Sequence, residues 1–270
     1  MRARRQCVSN TVLGSATGAS HLAANLQRVV RALRQAQHVA VLTGAGASAE
    51  SGIPTFRDKQ VGLWERFDAM ELATAEAFSR DPALVWGWYE WRRKVVLTAQ
   101  PNAGHVALAA MAAQKPGLTL ITQNVDDLHE RAGSSAVLHL HGELARPYCE
   151  ACHRTYVFPP RIVDVPQEGA RIDPPRCVAC GARIRPGVVW FGESLPEVPW
   201  RQAREAADEA DVFLVVGTSA LVYPAAALAE FAIAASAMVV QINPNPAELG
   251  AGVVTLRGTA GGVLPQLVSG

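Results

Sequence analysis

Four segments of the chain are apolar runs that end in small or polar residues: HVAVLTGAGAS at 38–48, GLTLITQNVDD at 117–127, DVFLVVGTSA at 211–220 and AMVVQINPNP at 237–246. An uninterrupted run of this kind is typical of a strand that is buried on both faces of a parallel sheet. Ligands of open parallel sheets bind beyond the carboxyl ends of the strands. We therefore expect the polar tails of the four runs to converge on one site.

Helical patterns precede the first three of these strands, at 24–36, 101–114 and 200–210. Helices that alternate with buried strands predict an α/β fold with a doubly wound parallel sheet. Residues 145–187 interrupt the alternation, because they are rich in Cys, Pro and Arg and contain no long apolar run. This segment is predicted to be a smaller inserted module.

Two Cys-x-x-Cys pairs lie inside that module, with 24 residues between them. Each pair supplies two thiolates from one tight turn, so two pairs complete the tetrahedron that zinc prefers. Two disulfides or a redox dithiol are the alternatives, and a cytosolic setting disfavours them. Four thiolates leave no open coordination position, so the zinc is expected to be structural, which argues against a metal-dependent hydrolase. The predicted ligands are Cys149, Cys152, Cys177 and Cys180.

The chain carries 25 basic and 24 acidic residues, so a field that attracts nucleic acid or a membrane is not expected. A zinc ribbon that binds nucleic acid remains an alternative, because several arginines lie in the inserted module. The longest apolar stretch, 225–240, is interrupted by Glu230 and is shorter than the ~20 residues of a membrane span. Residues 1–24 are predicted to be a flexible tail on a cytoplasmic, monomeric protein, although their basic start weakly resembles a transit peptide.

The segment TGAGASAESGIPTFRD, at 43–58, places Gly44 and Gly46 directly after the first predicted strand. Backbone without side chains lets a phosphate approach the amide groups of the next helix. Ala49 stands where the usual Gly-x-Gly-x-x-Gly pattern has its third glycine, so this turn alone does not identify a dinucleotide site. A tight strand-to-helix turn without a ligand would have the same sequence.

Seven motifs in this order resemble those of sirtuins, the NAD-dependent protein lysine deacylases. They are the glycine segment, TQNVDDLHERAG at 122–133, LHLHGEL at 138–144, the paired Cys motifs, GVVWFGE at 187–193, GTSALVYPA at 217–225 and INPNP at 242–246. The resemblance covers roughly residues 38–268 and implies a catalytic domain over 25–270. Its Rossmann-like NAD-binding domain would comprise about 25–57, 100–144 and 188–270, and its small domain a helical part at 58–99 and the zinc module at 145–187.

The resemblance also implies roles for individual residues. His141 is expected to be the general base, and an imidazole suits this role because its ordinary pKa is ~6.5. Asn124 and Asp126 are the other expected catalytic residues, which would hold the nicotinamide ribose and carboxamide together with Gln123. His129, His139 and His153 are not expected to be catalytic or to bind the metal. An edge segment is expected to pair with the extended peptide substrate, and it consists of Val189, Trp190, Phe191, Gly192 and Glu193. The residues expected to contact NAD are Gly44, Ala45, Gly46, Ala49, Glu50, Pro54, Thr55, Phe56, Arg57, Trp64, Gln123, Asn124, Val125, Asp126, Gly217, Thr218, Ser219, Asn243, Asn245 and Ala260.

The stretch VWGWYEWRRKVV, at 85–96, predicts a helix with an apolar face that has an arginine in its middle. Tyr89 and Arg92 match the Tyr-x-x-Arg pattern of the sirtuin branch that acts on succinyl-, malonyl- or glutaryl-lysine. A guanidinium can bind a carboxylate through two parallel hydrogen bonds, and a phenol can donate a third. Alternatively, Arg92 extends along the helix toward solvent and Tyr89 belongs to the core.

The predicted function is NAD-dependent removal of acidic acyl groups from lysine side chains of proteins, with some deacetylation. NAD would be consumed as a cosubstrate, yielding nicotinamide and 2'-O-acyl-ADP-ribose, and one zinc ion would be structural. A mainly deacetylating enzyme and a protein ADP-ribosyltransferase are alternatives within the family. An NAD-dependent oxidoreductase with a structural zinc is an alternative outside it.

Overall fold

The computed structural model describes residues 15–55, 65, 68–159, 165–166 and 169–269, without the side chains of 15–21. The strands of the described residues are β1 Val39–Thr43, β2 Leu118–Thr122, β3 Val137–His139, β4 Tyr148–Cys149, β5 Ile184–Arg185, β6 Val212–Val216, β7 Met238–Ile242 and β8 Val254–Leu256. Six of them form a parallel main sheet in the order β3-β2-β1-β6-β7-β8. Strands β4 and β5 form a separate two-stranded antiparallel sheet with a long connection, called the hairpin below.

Helices connect the strands of the main sheet. They are α1 Ser15–Gln35, α2 Ala69–Leu72, α3 Ala75–Arg80, α4 Pro82–Thr98, α5 Ala103–Gln114, α6 Leu128–Arg131, α7 Glu197–Glu209, α8 Ala227–Ala234 and α9 Ala260–Val268. Among the residues that the structure describes, no helix is both long and apolar enough to cross a membrane. Helix α1 begins at Ser15, inside the segment that the sequence predicts as a tail, because the alanine-rich stretch ahead of the buried Val29 and Leu33 favours continuation of the helix.

Both faces of the main sheet are covered. Along β1, Val41 packs into an apolar cluster with α1, α5 and α9, whereas its neighbour Leu42 packs into a cluster with α7 and α8. Side chains of a strand alternate between faces, so a run of apolar residues is what a sheet covered on both sides requires. The predicted doubly wound α/β sheet is confirmed.

The direction of chain progression reverses at β1, because β2 pairs with one of its edges and β6 with the other. Thr43, the last residue of β1, is level with Thr122 on one side and Val216 on the other. Such a reversal opens a crevice beyond the carboxyl ends of the central strands, where ligands of open α/β sheets bind. The polar tails that follow these strands therefore meet at one edge, as the sequence predicts.

A third apolar cluster lies outside the sheet and joins helices α2, α3 and α4 to the β4–β5 hairpin. Helix α4 is buried on all sides over most of its length, rather than along a single stripe. Gly87 allows this burial, because a Cβ atom there would lie 2.0 Å from the carbonyl oxygen of Ala170. The helix begins with Pro82, and the Asp81 side chain accepts a hydrogen bond from the Leu84 amide.

Candidate active site in the crevice of the sheet

The turns after β1 and β6 pack backbone against backbone. The Gly44 amide donates to the carbonyl of Val216 at 3.0 Å, and the Gly46 amide donates to the carbonyl of Gly217 at 2.7 Å. A Cβ atom on Gly217 would lie 2.3 Å from the amide nitrogen of Ala47, and its φ of +60° also favours glycine. The glycines thus bring the two turns together at the centre of the crevice.

Up to Thr55, where the described part of this loop ends, no α-helix follows the first glycine turn, although the sequence analysis expects one there. Two short 3₁₀ turns, Ala45–Ala47 and Ala49–Ser51, follow β1 instead. Ser48, Asn102 and Glu50 use their side chains to anchor these turns to neighbouring elements. Within the described residues this turn therefore offers no α-helix N-terminus to a phosphate. Its glycines instead allow close packing against the turn after β6.

Several residues expected to contact NAD are joined by hydrogen bonds across the crevice. The Gln123 side chain donates to the Thr218 hydroxyl at 3.2 Å, and the Asn243 side chain donates to the Thr218 carbonyl at 2.9 Å. Asn243 in turn accepts a hydrogen bond from the Asn245 amide at 3.0 Å. These contacts hold the segments that follow β2, β6 and β7 next to one another.

Other residues expected to contact NAD lie in segments that follow the strands or begin helix α9. The Glu50 carboxylate accepts a hydrogen bond from the Gly261 amide at 2.7 Å, next to Ala260 at the start of α9. Ala45 and Ala49 lie in the 3₁₀ turns after β1, and Ser219 follows Thr218. Pro54 and Thr55 end the described part of this loop, and Phe56, Arg57 and Trp64 lie outside the described residues.

Asn124 and Asp126 are held by a buried serine that sequence reasoning missed. The Ser48 hydroxyl donates to the Asp126 carboxylate at 3.0 Å and accepts from the Asn124 side chain at 3.0 Å. His105, also missed, lies 3.4 Å from the same hydroxyl through its Nε2 atom. Burial raises the pKa of Asp126, and hydrogen bonds from Leu128 and Ser48 oppose this rise.

The tautomer of His105 follows from its contacts. Its Nδ1 atom accepts a hydrogen bond from the Asn102 amide at 3.3 Å, so the proton of a neutral ring is on Nε2, facing Ser48. Burial lowers the pKa of His105 to about 4, and the ring is therefore neutral near pH 7. With the His105 Nε2–H and the Asn124 side chain both donating to it, the Ser48 hydroxyl has its own proton available for Asp126.

We expect replacement of Ser48 with alanine to lower the free energy of unfolding by about 1–3 kcal/mol, because Asn124, Asp126 and His105 would each lose a buried partner. Catalytic turnover is expected to fall as well. Ser134→Ala is the matched control, since the buried Ser134 hydroxyl has no partner among the described residues. Urea denaturation compares the two variants, and equal stabilities would contradict this role for Ser48.

His141 follows β3, and its ring is held by the backbone of the Gln123 tail. Its Nδ1 atom lies 2.9 Å from the Gln123 carbonyl oxygen, which can only accept a hydrogen bond. The ring proton is therefore on Nδ1, and Nε2 keeps a free lone pair. Burial lowers the pKa of His141 and the Gln123 carbonyl opposes this effect, so the neutral ring is the form present near pH 7.

The other two histidines near the crevice have structural contacts. The neutral His129 ring, whose pKa burial lowers to about 3, shares a hydrogen bond of 2.9 Å between its Nε2 atom and the Thr43 hydroxyl. His139 bridges the Asn124 carbonyl, at 3.1 Å, and the Glu130 carboxylate, at 2.8 Å. Burial alone would lower the pKa of His139, but the Glu130 carboxylate raises it above its ordinary value.

The segment expected to bind the peptide lies directly beside His141. The Val189 amide donates to the His141 carbonyl at 2.8 Å, and the Phe191 amide donates to the Ala73 carbonyl at 2.9 Å. The amides of Trp190 and Glu193 also donate within the chain. A peptide strand alongside this segment would consequently pair with its remaining backbone groups, which include the exposed Gly192.

Tyr89 and Arg92 are buried on helix α4, with 4% and 8% of their surfaces exposed, so Arg92 does not extend into solvent. The Arg92 guanidinium lies over the Trp88 ring, 5.2 Å from its centroid. Burial lowers the pKa of Arg92, whereas Tyr89 and Asp126 raise it. The Asp126 carboxylate is therefore close enough to the Arg92 guanidinium to influence its pKa.

The four cysteines of the hairpin module form one cluster, and their sulfur atoms all lie within 4.8 Å of one another. The sulfurs of Cys149 and Cys180 are 3.4 Å apart, and those of Cys152 and Cys177 are 3.7 Å apart. Four sulfurs at ~2.3 Å from a zinc ion would be separated by about 3.8 Å, whereas a disulfide would need about 2.05 Å. The donor set and its spacing therefore fit a structural zinc ion.

Comparisons with known proteins agree with this geometry. The Sir2 family matches residues 44–224. An NAD-dependent protein deacylase from Methylococcus capsulatus is 57% identical over 241 residues, which cover 89% of this chain and 94% of that protein. A crystal structure of a Sir2 homologue in complex with NAD matches with a TM-score of 0.80 at 43% identity, covering 90% of this chain and 92% of the other.

A solved complex of Sir2 with a p53 peptide and NAD matches with a TM-score of 0.77 at 28% identity, covering 90% of this chain and 97% of that chain. The chain therefore belongs to the Sir2 family, and it is a sirtuin enzyme. The family and the enzyme class that the motif order predicts are confirmed.

Proposed function

We propose that this sirtuin removes acyl groups from lysine side chains of proteins with consumption of NAD, and that it prefers acyl groups that end in a carboxylate. The observation that carries the first part is the placement of His141. Its Nε2 lone pair is free, its ring is neutral, and its backbone is bonded to the segment expected to bind the peptide. The relatives named NAD-dependent protein deacylases support the same reaction.

NAD would supply a ribose carbon that the acyl oxygen can attack as nicotinamide leaves. Asn124 and Asp126 would bind the nicotinamide end of the cosubstrate, because Ser48 fixes both side chains at the floor of the crevice. His141 would take a proton from a ribose hydroxyl onto Nε2, while its Nδ1–H stays on the Gln123 carbonyl. That hydroxyl would attack the acyl carbon, the lysine amine would leave as it takes up a proton, and a water molecule would add to complete the acyl ester of ADP-ribose.

The remaining expected NAD contacts extend from this point along the edge of the sheet. Gly44, Gly46 and Gly217 let the two turns pack closely where the phosphates would bind, and Thr218 with Asn243 offers polar groups to a ribose. Ala260 at the start of α9 is a small residue on which an adenine ring could lie. The cleft would thus bind the dinucleotide across the reversal point of the sheet.

The preference for acidic acyl groups rests on the buried arginine. A guanidinium retains its charge at neutral pH, and Arg92 is buried with the Tyr89 phenol as a neighbour on the same helix. A carboxylate that enters beside it would form charge-assisted hydrogen bonds in a site with little water. An acetyl group is too short to use them, although it would still reach the catalytic residues.

We expect Arg92→Met to lower kcat/KM for a succinyl-lysine peptide by about 10- to 100-fold, because a hydrogen bond to a charged group contributes about 1.5–3 kcal/mol. The value for the matching acetyl-lysine peptide is expected to change little. Arg146→Met is the control, since the Arg146 side chain is 73% exposed. Unchanged desuccinylation in the Arg92 variant would contradict the proposed specificity.

Transfer of ADP-ribose to protein is the competing reaction within the family. Radiolabelled NAD distinguishes the two, because deacylation places the label on acyl-ADP-ribose and ADP-ribosylation places it on protein. We expect the label in the small-molecule fraction together with a stoichiometric amount of free nicotinamide.

A further inference from the structure

The indole of Trp190 makes a hydrogen bond that reaches Tyr89, the phenol of the proposed acyl-binding pair. Its Nε1 atom lies 3.1 Å from the Tyr89 hydroxyl oxygen, and both side chains are buried. An indole N–H can only donate, so the phenol oxygen must be the acceptor. The hydroxyl hydrogen of Tyr89 therefore points away from Trp190 and can be donated to another group.

The Tyr89 phenol keeps that hydrogen. Burial raises the pKa of Tyr89 far above its ordinary value, and the nearby Arg92 opposes the rise only in part. A phenol in this state can donate to a carboxylate at any pH near neutrality. Without the indole, the hydroxyl could rotate and accept a hydrogen bond, which is of no use to a carboxylate.

Trp190 is itself held in place from two sides by residues that the sequence motifs do not explain. The Arg185 guanidinium lies over its ring, 3.6 Å from the centroid, and the Phe78 ring lies 5.3 Å away. Arg185 also forms an ion pair with Glu193 through bonds of 2.6 and 2.8 Å. Glu193 in turn accepts a hydrogen bond from the Trp190 amide at 2.8 Å.

This arrangement connects the hairpin module, which holds the four cysteines, to the proposed acyl-binding pair Tyr89 and Arg92. Arg185 lies on β5 next to Ile184, and Ile184 is paired with the expected zinc ligand Cys149 on β4. A planar guanidinium with two bonds to a carboxylate and a ring beneath it has little freedom to move. The hairpin therefore fixes the plane of the indole, and the indole fixes the direction of the Tyr89 hydroxyl.

We propose that Trp190 is a positioning residue for acyl specificity, which presents Tyr89 as a hydrogen-bond donor to the carboxylate of an acidic acyl group, and that Arg185 and Glu193 fix Trp190 for this purpose. The inference rests on the proposed preference for acidic acyl groups. The indole of Trp190 would thus orient Tyr89, whereas the backbone of the same segment, which runs beside His141, would bind the peptide.

The test is a double-mutant cycle with succinyl- and acetyl-lysine peptides of one sequence. Trp190→Phe keeps an aromatic ring under Arg185 and removes the N–H. Loss of one neutral hydrogen bond predicts a fall of roughly 2- to 10-fold in kcat/KM for the succinyl peptide, mainly through KM, and a smaller fall for the acetyl peptide, which binds along the same segment but does not use Tyr89. In a Tyr89→Phe background the Trp190 substitution is expected to have no further effect, because its partner is gone.

Equal losses for both peptides, or a full additional loss in the Tyr89→Phe background, would overturn the inference. If Arg92→Met lowers desuccinylation and Trp190→Phe does not, the positioning role fails and the proposed function stands. If Arg92→Met has no effect, the proposed function fails first.

A second variant keeps the inference testable if Trp190→Phe does not fold. Arg185→Lys retains the charge but loses the paired bonds to Glu193 and the stacked plane, and a selective loss for the succinyl peptide is expected. Arg183→Lys is its matched control on the same hairpin, where Arg183 bonds Glu150 instead. No selective loss in Arg185→Lys would count against the role of the ion pair.

Discussion

His141→Tyr is expected to abolish NAD-dependent deacylation, with a loss of kcat of at least the 10²- to 10⁴-fold range of general-base catalysis. The neutral His141 ring offers the Nε2 lone pair, and a phenol in its place is protonated at neutral pH and cannot serve as a base. NAD is expected to remain bound, since the glycine turns and the Thr218 contacts do not involve this side chain.

The pH profile provides a second measure of the same group. Burial holds the pKa of His141 below its ordinary value, so the neutral, active form persists to lower pH than a free imidazole would allow. We expect kcat/KM to be constant near pH 7 and to fall as the pH drops through a value below ~6.5.

His153→Asn is the control for the His141 substitution. His153 is an exposed histidine on the hairpin module with a positive φ of 57°, a conformation that asparagine tolerates. It should leave both the rate and the pH profile unchanged. Substantial turnover by His141→Tyr would eliminate His141 as the base.

Loss of zinc is the second change with a large expected effect. Cys149 and Cys177 belong to the same apolar cluster as Tyr89 and other residues of helix α4, so the four-cysteine site and this helix share one core. Binding of structural zinc contributes about 10–16 kcal/mol in small zinc domains, which matches the entire stability of many proteins. We therefore expect Cys177→Ser to lose the metal, to unfold at a markedly lower temperature and to lack activity toward both acyl peptides.

Metal analysis provides the direct check, with about one zinc per chain expected in the unaltered protein. Cys7→Ser is the matched control, because Cys7 lies outside both Cys-x-x-Cys pairs and should not affect metal content. The backbone amide of Cys152 lowers the pKa of the Cys149 thiol, which favours a thiolate ligand. A folded and active protein without metal would contradict the structural role.

The central strands were predictable because each is a long apolar run between two covered faces. The edge strands β3, Val137–His139, and β8, Val254–Leu256, are three residues long and have no such run, so the sequence pattern did not reveal them. Helix α4 was predicted, but its burial on all sides was not. That burial depends on the packing of Ala170, which is distant in sequence, against Gly87, and the periodicity of the helix cannot predict such a contact.

At the candidate active site, the sequence motifs indicate residues such as Asn124 and Asp126, but not the side chains that contact them. Ser48 lies in a glycine turn and His105 in an alanine-rich helix, and neither pattern indicates a role for the side chain. One local signal for His105 existed, since Asn102 and His105 form a capping box at the start of α5. The contact of His105 with Ser48 joins residues that are far apart in the chain, and only the fold brings them together.

The most direct test of the account is a panel of peptides that carry acetyl-, succinyl-, malonyl- or glutaryl-lysine, incubated with NAD and read by mass spectrometry. We predict free lysine peptide, nicotinamide and acyl-ADP-ribose in equal amounts, with an acidic acyl group turned over more efficiently than acetyl. Reduced cofactor without nicotinamide, or acetyl-lysine as the best substrate, would contradict it.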